Sequence, residues 1–403
     1  MGSVQGADWP CWRGPDNLGV STEEHLPLHW SRDKNVAWTA TLPGKGASSP
    51  VVVGDRVYVT TQTADTGLHV LAFDAAHGRL VWEREIGRGK LHTNPLHNMA
   101  TPTPVATDQF VWAFFGTGDL ACLDREGRVT WQINLVRKHG TYKNNHGMGT
   151  SPMLLDGKLY LACMQQGPSY LAAVDARSGA EVWLKDRTLG PTDEAQDSYS
   201  SPIILRVGGA PELVLAGAEA VTAYAPTTGD LLWRYGGLKV PNPYGRTISG
   251  PTAGEGVVIA VASGFQNQGY TLALKPEGHG DLPPERRLWT QRKFSPDCPT
   301  PLVYRGAVYL MRDDGIASCL DLQTGAARWQ ERLFTGNVKV SPVAGDGRVY
   351  FTSGQSECKV LKAGPTLEVL ATNRLDEPTL ATPALSHGRA YLRTEEHLYC
   401  VAD

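Results

Sequence analysis

Residues 151–160 read Ser-Pro-Met-Leu-Leu-Asp-Gly-Lys-Leu-Tyr, and residues 173–183 read Ala-Val-Asp-Ala-Arg-Ser-Gly-Ala-Glu-Val-Trp. The pattern predicts a small sheet of four antiparallel strands. Ser151-Pro152 opens the inner strand, Asp-Gly turns into the second, Asp175 ends the third, and the fourth carries Trp183. Such a sheet cannot bury both of its faces alone, so it requires neighbouring copies of the same unit.

The opening of this unit recurs along the chain about every 40 to 55 residues, a spacing typical of four-stranded propeller blades. The eight openings are Ser49-Pro50, Thr103-Pro104, Ser151-Pro152, Ser201-Pro202, Gly250-Pro251, Thr300-Pro301, Ser341-Pro342 and Thr382-Pro383. Each pair is expected to begin the inner strand of one blade. The sequence therefore predicts an all-β protein, an eight-bladed β-propeller of four-stranded blades.

The last unit is incomplete, because the chain ends two residues after its third strand, Leu398 to Val401. A strand-like segment without a partner, Val36 to Leu42, precedes the first unit. We expect this N-terminal strand to complete the last blade, which closes the ring and removes its open edges. The sequence therefore predicts two regions. Residues 1–35 form an irregular N-terminal extension packed on the propeller, which Trp9, Trp12 and Trp30 are expected to anchor. Residues 36–403 form one propeller domain.

Charge and hydrophobicity exclude several classes of protein. The 403-residue chain has a net charge of −3 and no long basic run, so a nucleic-acid partner is not expected. No apolar run is long enough for a transmembrane segment. We expect a monomer that is periplasmic or secreted after removal of an export signal.

The seven cysteines show no Cys-x-x-Cys spacing, which argues against a zinc cluster. Cys122, Cys319 and Cys400 take the same third-strand position in non-adjacent blades, too far apart for a disulfide. We expect these three to be buried, reduced packing residues. The pairing of Cys11, Cys163, Cys298 and Cys358 stays open.

The spacing Ala72…Asp74…Gly78…Trp82, repeated as Ala173…Asp175…Gly179…Trp183, resembles the tryptophan-docking repeat of pyrroloquinoline-quinone-type eight-bladed propellers. That superfamily includes quinoprotein alcohol dehydrogenases and the propeller lipoprotein of the bacterial outer-membrane barrel-assembly machinery. The resemblance covers residues 36–403. It implies the fold but says little about function, because these residues join one blade to the next. The dehydrogenases usually carry adjacent cysteines over the cofactor; this sequence has no Cys-Cys pair, which disfavours a quinone.

Candidate site residues lie in the loops that lead into the inner strands. Such loops crowd one face of a propeller, where side chains from several blades converge on a central funnel. The catalytic candidates are His146, Tyr199, Asp197 and Arg246, in which His or Tyr would move a proton and Arg would bind a carboxylate. The ligand-binding candidates are Lys45, His97, Asn98, Tyr142, Asn145, Tyr244, Asp297 and Lys339.

Three functions follow as hypotheses. The first is an exported bacterial binding or scaffold protein whose polar funnel takes a small molecule, glycan, peptide or protein partner. The second is an enzyme acting on a carbohydrate or small molecule by His/Tyr acid-base chemistry. The third, which the absence of a Cys-Cys pair disfavours, is a pyrroloquinoline-quinone-dependent dehydrogenase. No cofactor is assigned; calcium or another divalent metal stays open, and His97, His146 and Asp197 are candidate ligands for such an ion.

Overall fold

The computed structural model describes residues 7–89, 96–144, 147–206, 208–241, 245–264 and 268–403. Within these ranges the strands form eight small sheets arranged as propeller blades, as predicted. The α-helix Leu135–His139 has five residues, and the short 3₁₀ helices are Pro15–Asn17, Asp193–Gln196 and Pro284–Arg286. In these ranges no helix has the length and apolar character needed to cross a bilayer.

Blades 1 to 7 each contain four antiparallel strands in chain order, from the inner strand to the outer one. In blades 1 to 4 the strands are Val51–Val53, Arg56–Gln62, Gly67–Asp74 and Leu80–Arg88; Val105–Ala106, Phe110–Phe114, Asp119–Asp124 and Val129–Asn134; Met153–Leu155, Lys158–Cys163, Tyr170–Asp175 and Glu181–Asp186; Ile203–Leu205, Glu212–Gly217, Ala220–Tyr224 and Leu231–Gly236. In blades 5 to 7 they are Thr252–Gly254, Val257–Ala262, Tyr270–Leu274 and Arg287–Gln291; Leu302–Tyr304, Ala307–Met311, Ile316–Asp321 and Ala327–Arg332; Val343–Gly345, Arg348–Thr352, Glu357–Lys362 and Val369–Arg374.

Blade 8 is closed by the N-terminal strand, which confirms the predicted ring closure. Its own strands are Ala384–Ser386, Arg389–Arg393 and His397–Val401, and Val36–Thr41 pairs antiparallel with the last of them. Trp38 lies opposite Cys400 in this pairing. The same register places a tryptophan opposite a small residue in other blades, for example Trp131 opposite Cys122.

Tryptophans of the outer strands pack on glycines of the following blade. The ring of Trp82 lies over Gly127, where a Cβ atom would come within 2.6 Å of the ring, and its Nε1 donates to the Arg125 carbonyl at 2.8 Å. Glycine is therefore the residue that this close approach requires. The same contact recurs between Trp38 and Gly78, Trp131 and Gly179, Trp183 and Gly229, and Trp289 and Gly325.

The residues before the inner-strand prolines form a belt of hydroxyl groups around the channel. The backbone N–H of one blade donates to the hydroxyl oxygen of the next, as from Ser49 to Thr103 at 2.9 Å. The other pairs are Thr103 to Ser151, Ser151 to Ser201, Gly250 to Thr300, Thr300 to Ser341 and Thr382 to Ser49, at 2.8–3.2 Å. These bonds give a physical reason for the recurring Ser/Thr before proline.

The N-terminal segment bonds to the inner strands from the channel side. Trp9 pairs with Val52 of blade 1 through two backbone hydrogen bonds, at 2.8 and 2.9 Å. The contacts continue around the ring: Ala106 N–H to Pro10 O, Asn17 Nδ2 to Pro202 O, Arg13 Nη2 to Pro301 O, and Ser21 N–H to Ala344 O. Residues 9–21 therefore lie across the channel that the inner strands surround.

Blade 4 has an additional strand that the sequence did not predict. Gly280–Asp281, from the proline-rich insert of blade 5, pairs parallel with the outer strand Leu231–Gly236.

All seven cysteines are free, and Cys122, Cys319 and Cys400 are buried, as expected.

Candidate functional site

An axial cavity of about 340 Å³ opens where the entry loops meet, on the face from which the inner strands start. The hydroxyl belt forms its wall, through Ser49, Thr103 and their counterparts. Trp12 of the N-terminal segment also lines it, and the tip of its ring lies 3.4 Å from the position of a Cβ at Gly250. Gly250 is the one residue before an inner-strand proline that has no hydroxyl group, and it is the one that lies beside Trp12.

One side of the axial cavity carries charged side chains from the loops that lead into blades 4, 5 and 6. Arg246 is paired with Glu194 at 3.2 Å and with Asp297 at 3.6 Å. Burial works against the charge of Arg246, but the two carboxylates outweigh it and raise the pKa of the guanidinium. Arg246 is therefore a fixed cation with acidic neighbours, suited to bind a polar group entering the cavity.

Next to this pair lies a second cluster, made of Lys339, Asp313, Asp297 and Cys298. Lys339 Nζ bonds to Asp313, and the backbone N–H groups of Asp297 and Cys298 donate to the same carboxylate at 2.7 and 3.2 Å. Burial opposes the charge of Lys339, but Cys298 and Asp313 outweigh it, so the pKa of the amine is raised. Burial, followed by Asp313 and Asp297, raises the pKa of the Cys298 thiol, so it stays protonated at neutral pH.

Asp297, Cys298 and Asp313 also place three potential metal ligands within 4.8 Å of one another. Both oxygens of Asp313 already accept hydrogen bonds, one from Lys339 and the other from backbone N–H groups. A divalent ion would have to displace the Lys339 ammonium from this carboxylate. In this cluster the Lys339 ammonium therefore occupies the place that a metal cation would take.

Five of the candidate residues line the axial cavity: His97, Tyr199, Arg246, Asp297 and Lys339. They come from different entry loops, so the funnel geometry inferred from the repeat brings them together. The candidates Asn145, His146 and Tyr244 lie outside the described residues. The proposed acid-base group is therefore represented in the cavity by Tyr199 and Arg246.

Asp197 and Tyr142 face away from the axial cavity. Asp197 is buried and its Oδ2 accepts a hydrogen bond from Gln166 Nε2 at 2.9 Å. Tyr142 packs into the core of blade 3, with its hydroxyl 3.4 Å from that of Tyr170 and 3.6 Å from Cys163 Sγ. Burial raises the pKa of Tyr142 well above its ordinary value. A ligand in the axial cavity would not meet either side chain.

Lys45 and Asn98 line a second cavity of about 490 Å³, here called the side pocket, between blades 1 and 8. Its lining includes residues 44–47, 62–64, 96–98 and 393–395. Lys45 Nζ pairs with Glu395 at 2.7 Å, and Asn98 Nδ2 donates to the Lys45 carbonyl at 3.0 Å. His97 lines both cavities, so the two share a wall.

Three residues at these cavities were not predicted as site residues: Trp12 and Arg393 each line a cavity, and Asp313 is bonded to the lining residue Lys339. Asp313 follows a second strand and Arg393 ends one, whereas the predicted site residues all lie in loops before inner strands. Trp12 lies in a segment without the repeat. A search for charged residues at the ends of second strands, near the entry face, would have found Asp313 and Arg393.

Residues 16–200 and 313–403 match the model of a protein family described as outer membrane protein assembly factor BamB. These ranges make up more than half of the chain. The chain belongs to this family. Members of known sequence include a BamB of Alkalilimnicola ehrlichii, 29% identical over 195 residues, and one of Salmonella typhimurium, 23% identical over 322 residues. The first match covers 47% of this chain and 43% of that protein; the second covers 76% and 74%.

Solved structures show the same fold at low sequence identity. The crystal structure of BamB from Moraxella catarrhalis superposes with a TM-score of 0.66 at 13% identity, covering 91% of this chain and 98% of that one. Quinohemoprotein alcohol dehydrogenase from Comamonas testosteroni gives 0.70 at 14% identity, covering 98% and 80%. This BamB-family propeller thus shares its architecture with a BamB and with an alcohol dehydrogenase, and the fold alone does not determine which function it has.

Proposed function

We propose that this chain is a non-catalytic binding and scaffold protein of the bacterial envelope that takes part in outer membrane protein assembly. Its relatives are named as assembly factors, and a protein partner is the natural ligand for such a role. The same relationship supports a periplasmic location. In this proposal the axial cavity and the entry loops around it form the partner-binding face.

The observation that carries the proposal is the charged side of the axial cavity. Arg246 and Lys339 stand beside Glu194, Asp297 and Asp313, each ion-paired and partly buried. Charges of both signs on a rigid rim favour specific recognition of a polar partner surface, since a partner without complementary groups would remove water from these charges and offer no compensating contacts. A buried thiol with a raised pKa is a poor nucleophile, which argues against Cys298 catalysis.

The test is genetic complementation in the bacterium from which the chain comes. Deletion of the gene should lower the amount of outer membrane proteins, and the wild-type chain should restore it. The double variant Arg246→Ala/Lys339→Ala should restore it poorly, whereas Arg286→Ala, which removes an exposed arginine paired with Glu277, should behave as wild type. Normal outer membrane protein levels in the deletion strain would refute the function; full rescue by the double variant would refute the role of the cavity.

An enzyme is the second candidate, because Tyr199, Arg246 and Asp297 line one cavity. Arg246 could bind the carboxylate of a uronate while Tyr199 transfers a proton. This alternative predicts that the purified protein converts uronate-containing oligosaccharides and that Tyr199→Phe abolishes the conversion. Quinone chemistry is a weaker candidate; Cys298 is the one cysteine among the described lining residues, and the sequence has no adjacent pair.

A further inference from the structure

Arg393 is a buried cation without a counter-charge. It ends the strand Arg389–Arg393 of blade 8, and 1% of the residue is exposed. Its Nη1 donates to the Ser48 hydroxyl and to the carbonyl oxygens of Ser48 and Thr60, the latter two at 3.2 and 2.6 Å. Among the described residues, Nε and Nη2 have no hydrogen-bond partner. Burial lowers the pKa of this guanidinium to about 9.

The two unpartnered nitrogens belong to one edge of the guanidinium plane. That edge, formed by Nε and Nη2, is one that can donate two parallel hydrogen bonds to the oxygens of a carboxylate or phosphate. Two other arginines are equally buried, Arg13 and Arg187, but both use Nη2: Arg13 donates to the Pro301 carbonyl and Arg187 to the Thr222 hydroxyl. Of these three arginines, only Arg393 keeps the whole edge available.

Arg393 also lines the side pocket, beneath the loop of residues 44–47. The ionised side chains of that lining are Arg393, Lys45 and Glu395, so two cations stand against one carboxylate. Lys45 is already paired with Glu395, which leaves the charge of Arg393 uncompensated. His97 and Asn98 add polar groups to the same wall.

A glycine covers the free edge. A Cβ atom at Gly46 would lie 2.8 Å from Arg393 Nη2, so the guanidinium is covered there by main chain without a side chain. Admission of a ligand requires the loop of residues 44–47 to move outward, away from Arg393. Two glycines, Gly44 and Gly46, stand in that loop and lower the barrier to such a change of backbone angles.

We infer that the side pocket is an oxyanion site, in which two oxygens of a carboxylate or phosphate group accept hydrogen bonds from Arg393 Nε and Nη2. An unpaired buried charge is costly, and an oxyanion supplies both the missing charge and the missing acceptors. The site shares a wall with the axial cavity at Ala47, His97 and Leu380 but uses other donors. It does not depend on the proposed assembly function.

Isothermal titration of the purified protein tests the site, with inorganic phosphate and sodium acetate as separate probes at constant ionic strength. At least one probe should bind saturably with one site per chain. Arg393→Met should weaken that binding at least about tenfold, since it removes two charge-assisted hydrogen bonds. Arg187→Met, which removes an equally buried arginine away from the side pocket, should leave the affinity unchanged.

Gly46→Ala provides a second variant that retains every charge. The added Cβ would lie 2.8 Å from Arg393 Nη2 and 3.0 Å from the Ala100 carbonyl oxygen, so it should occupy space that an oxyanion needs and weaken the binding. Circular dichroism checks that the fold is kept, and this variant carries the test if Arg393→Met does not fold. Binding of acetate alone would identify a carboxylate ligand, and binding of phosphate alone a phosphate ligand. No saturable binding of either probe, or equal affinity in wild type and both variants, would overturn the inference.

Discussion

Trp30 stacks on Tyr350, with ring centroids 6.5 Å apart and planes inclined by 19°. Blade 7 has Ala371 where other blades carry the outer-strand tryptophan, and the N-terminal segment supplies the missing ring. The Tyr350 hydroxyl also donates to the Pro27 carbonyl of this segment, at 3.0 Å. Elsewhere the equivalent tyrosine meets a tryptophan of its own blade: Tyr58–Trp82, Tyr160–Trp183, Tyr309–Trp329 and Tyr391–Trp38, at 5.7–6.3 Å.

Replacement of Trp30 by alanine should therefore destabilise the whole propeller. The ring is almost fully buried, and truncation of a buried tryptophan costs about 3–5 kcal/mol of unfolding free energy. Urea denaturation followed by far-ultraviolet circular dichroism measures this loss. Trp12→Ala is the control, because Trp12 is only partly buried and should cost less. A Trp30→Ala variant within about 1 kcal/mol of wild type would contradict the assignment of Trp30 to the core of blade 7.

The hydroxyl belt predicts that removal of a single hydroxyl group, a much smaller change than Trp30→Ala, also lowers stability. In Ser151→Ala the buried N–H of Thr103 loses its acceptor, which costs about 1–3 kcal/mol. The matched control is Ser178→Ala, because the Ser178 hydroxyl lies on the surface, where its bond to Asp175 competes with water. Because the entropy of unfolding grows with chain length, thermal unfolding should separate the two variants by about 1–4 °C. Equal melting temperatures would mean that the belt contributes nothing to stability.

Glu377 should make the propeller sensitive to acid. Its carboxylate is largely buried, which by itself raises the pKa, but hydrogen bonds from Thr394, Tyr399 and His397 outweigh burial and lower it below the ordinary 4.5. Arg32 adds an ion pair at 3.2 Å. Because the folded state favours the ionised form, this contribution is complete above about pH 4.5 and is lost as the pH falls through the lowered pKa.

In Glu377→Gln that part of the pH dependence should disappear. The unfolding free energy of the wild type should fall as the pH drops below about 4.5 and through the lowered pKa of Glu377, whereas the variant should be less stable at pH 6 and should vary less with pH in the acid range. Urea titrations at a series of pH values give both curves. Parallel curves for the two proteins would show that Glu377 does not couple folding to protonation.

The repeat predicted the fold because it is a local signal. Ser/Thr before proline, glycine in the third turn and tryptophan in the outer strand each answer a packing need that recurs in every blade. The same reasoning assigned Val36–Leu42 to blade 8, since an open edge had to be paired. Residues 9–21 and Gly280–Asp281 carry no repeat, so their positions depend on long-range packing that sequence periodicity does not encode.

The site was predicted in part for a related reason. Distance along the chain from an inner-strand proline places a residue near the entry face, and Tyr199, Arg246, Asp297 and Lys339 do reach the axial cavity. This distance along the chain does not determine the direction in which a side chain points. Asp197 points toward Gln166 and Tyr142 into the core of blade 3, and neither reaches the axial cavity. Arg393 was missed because it ends a strand of blade 8, outside the loops before inner strands from which the candidates were taken.

The most direct test of a partner-binding axial cavity is site-specific photo-crosslinking in living cells. A photoreactive phenylalanine at Tyr199, which lines the cavity, should crosslink to a component of the outer membrane protein assembly machinery. The same group at Arg305, an exposed residue of the hairpin turn between the first two strands of blade 6, should not. Crosslinks to such a component from position 305 and none from position 199 would contradict the account.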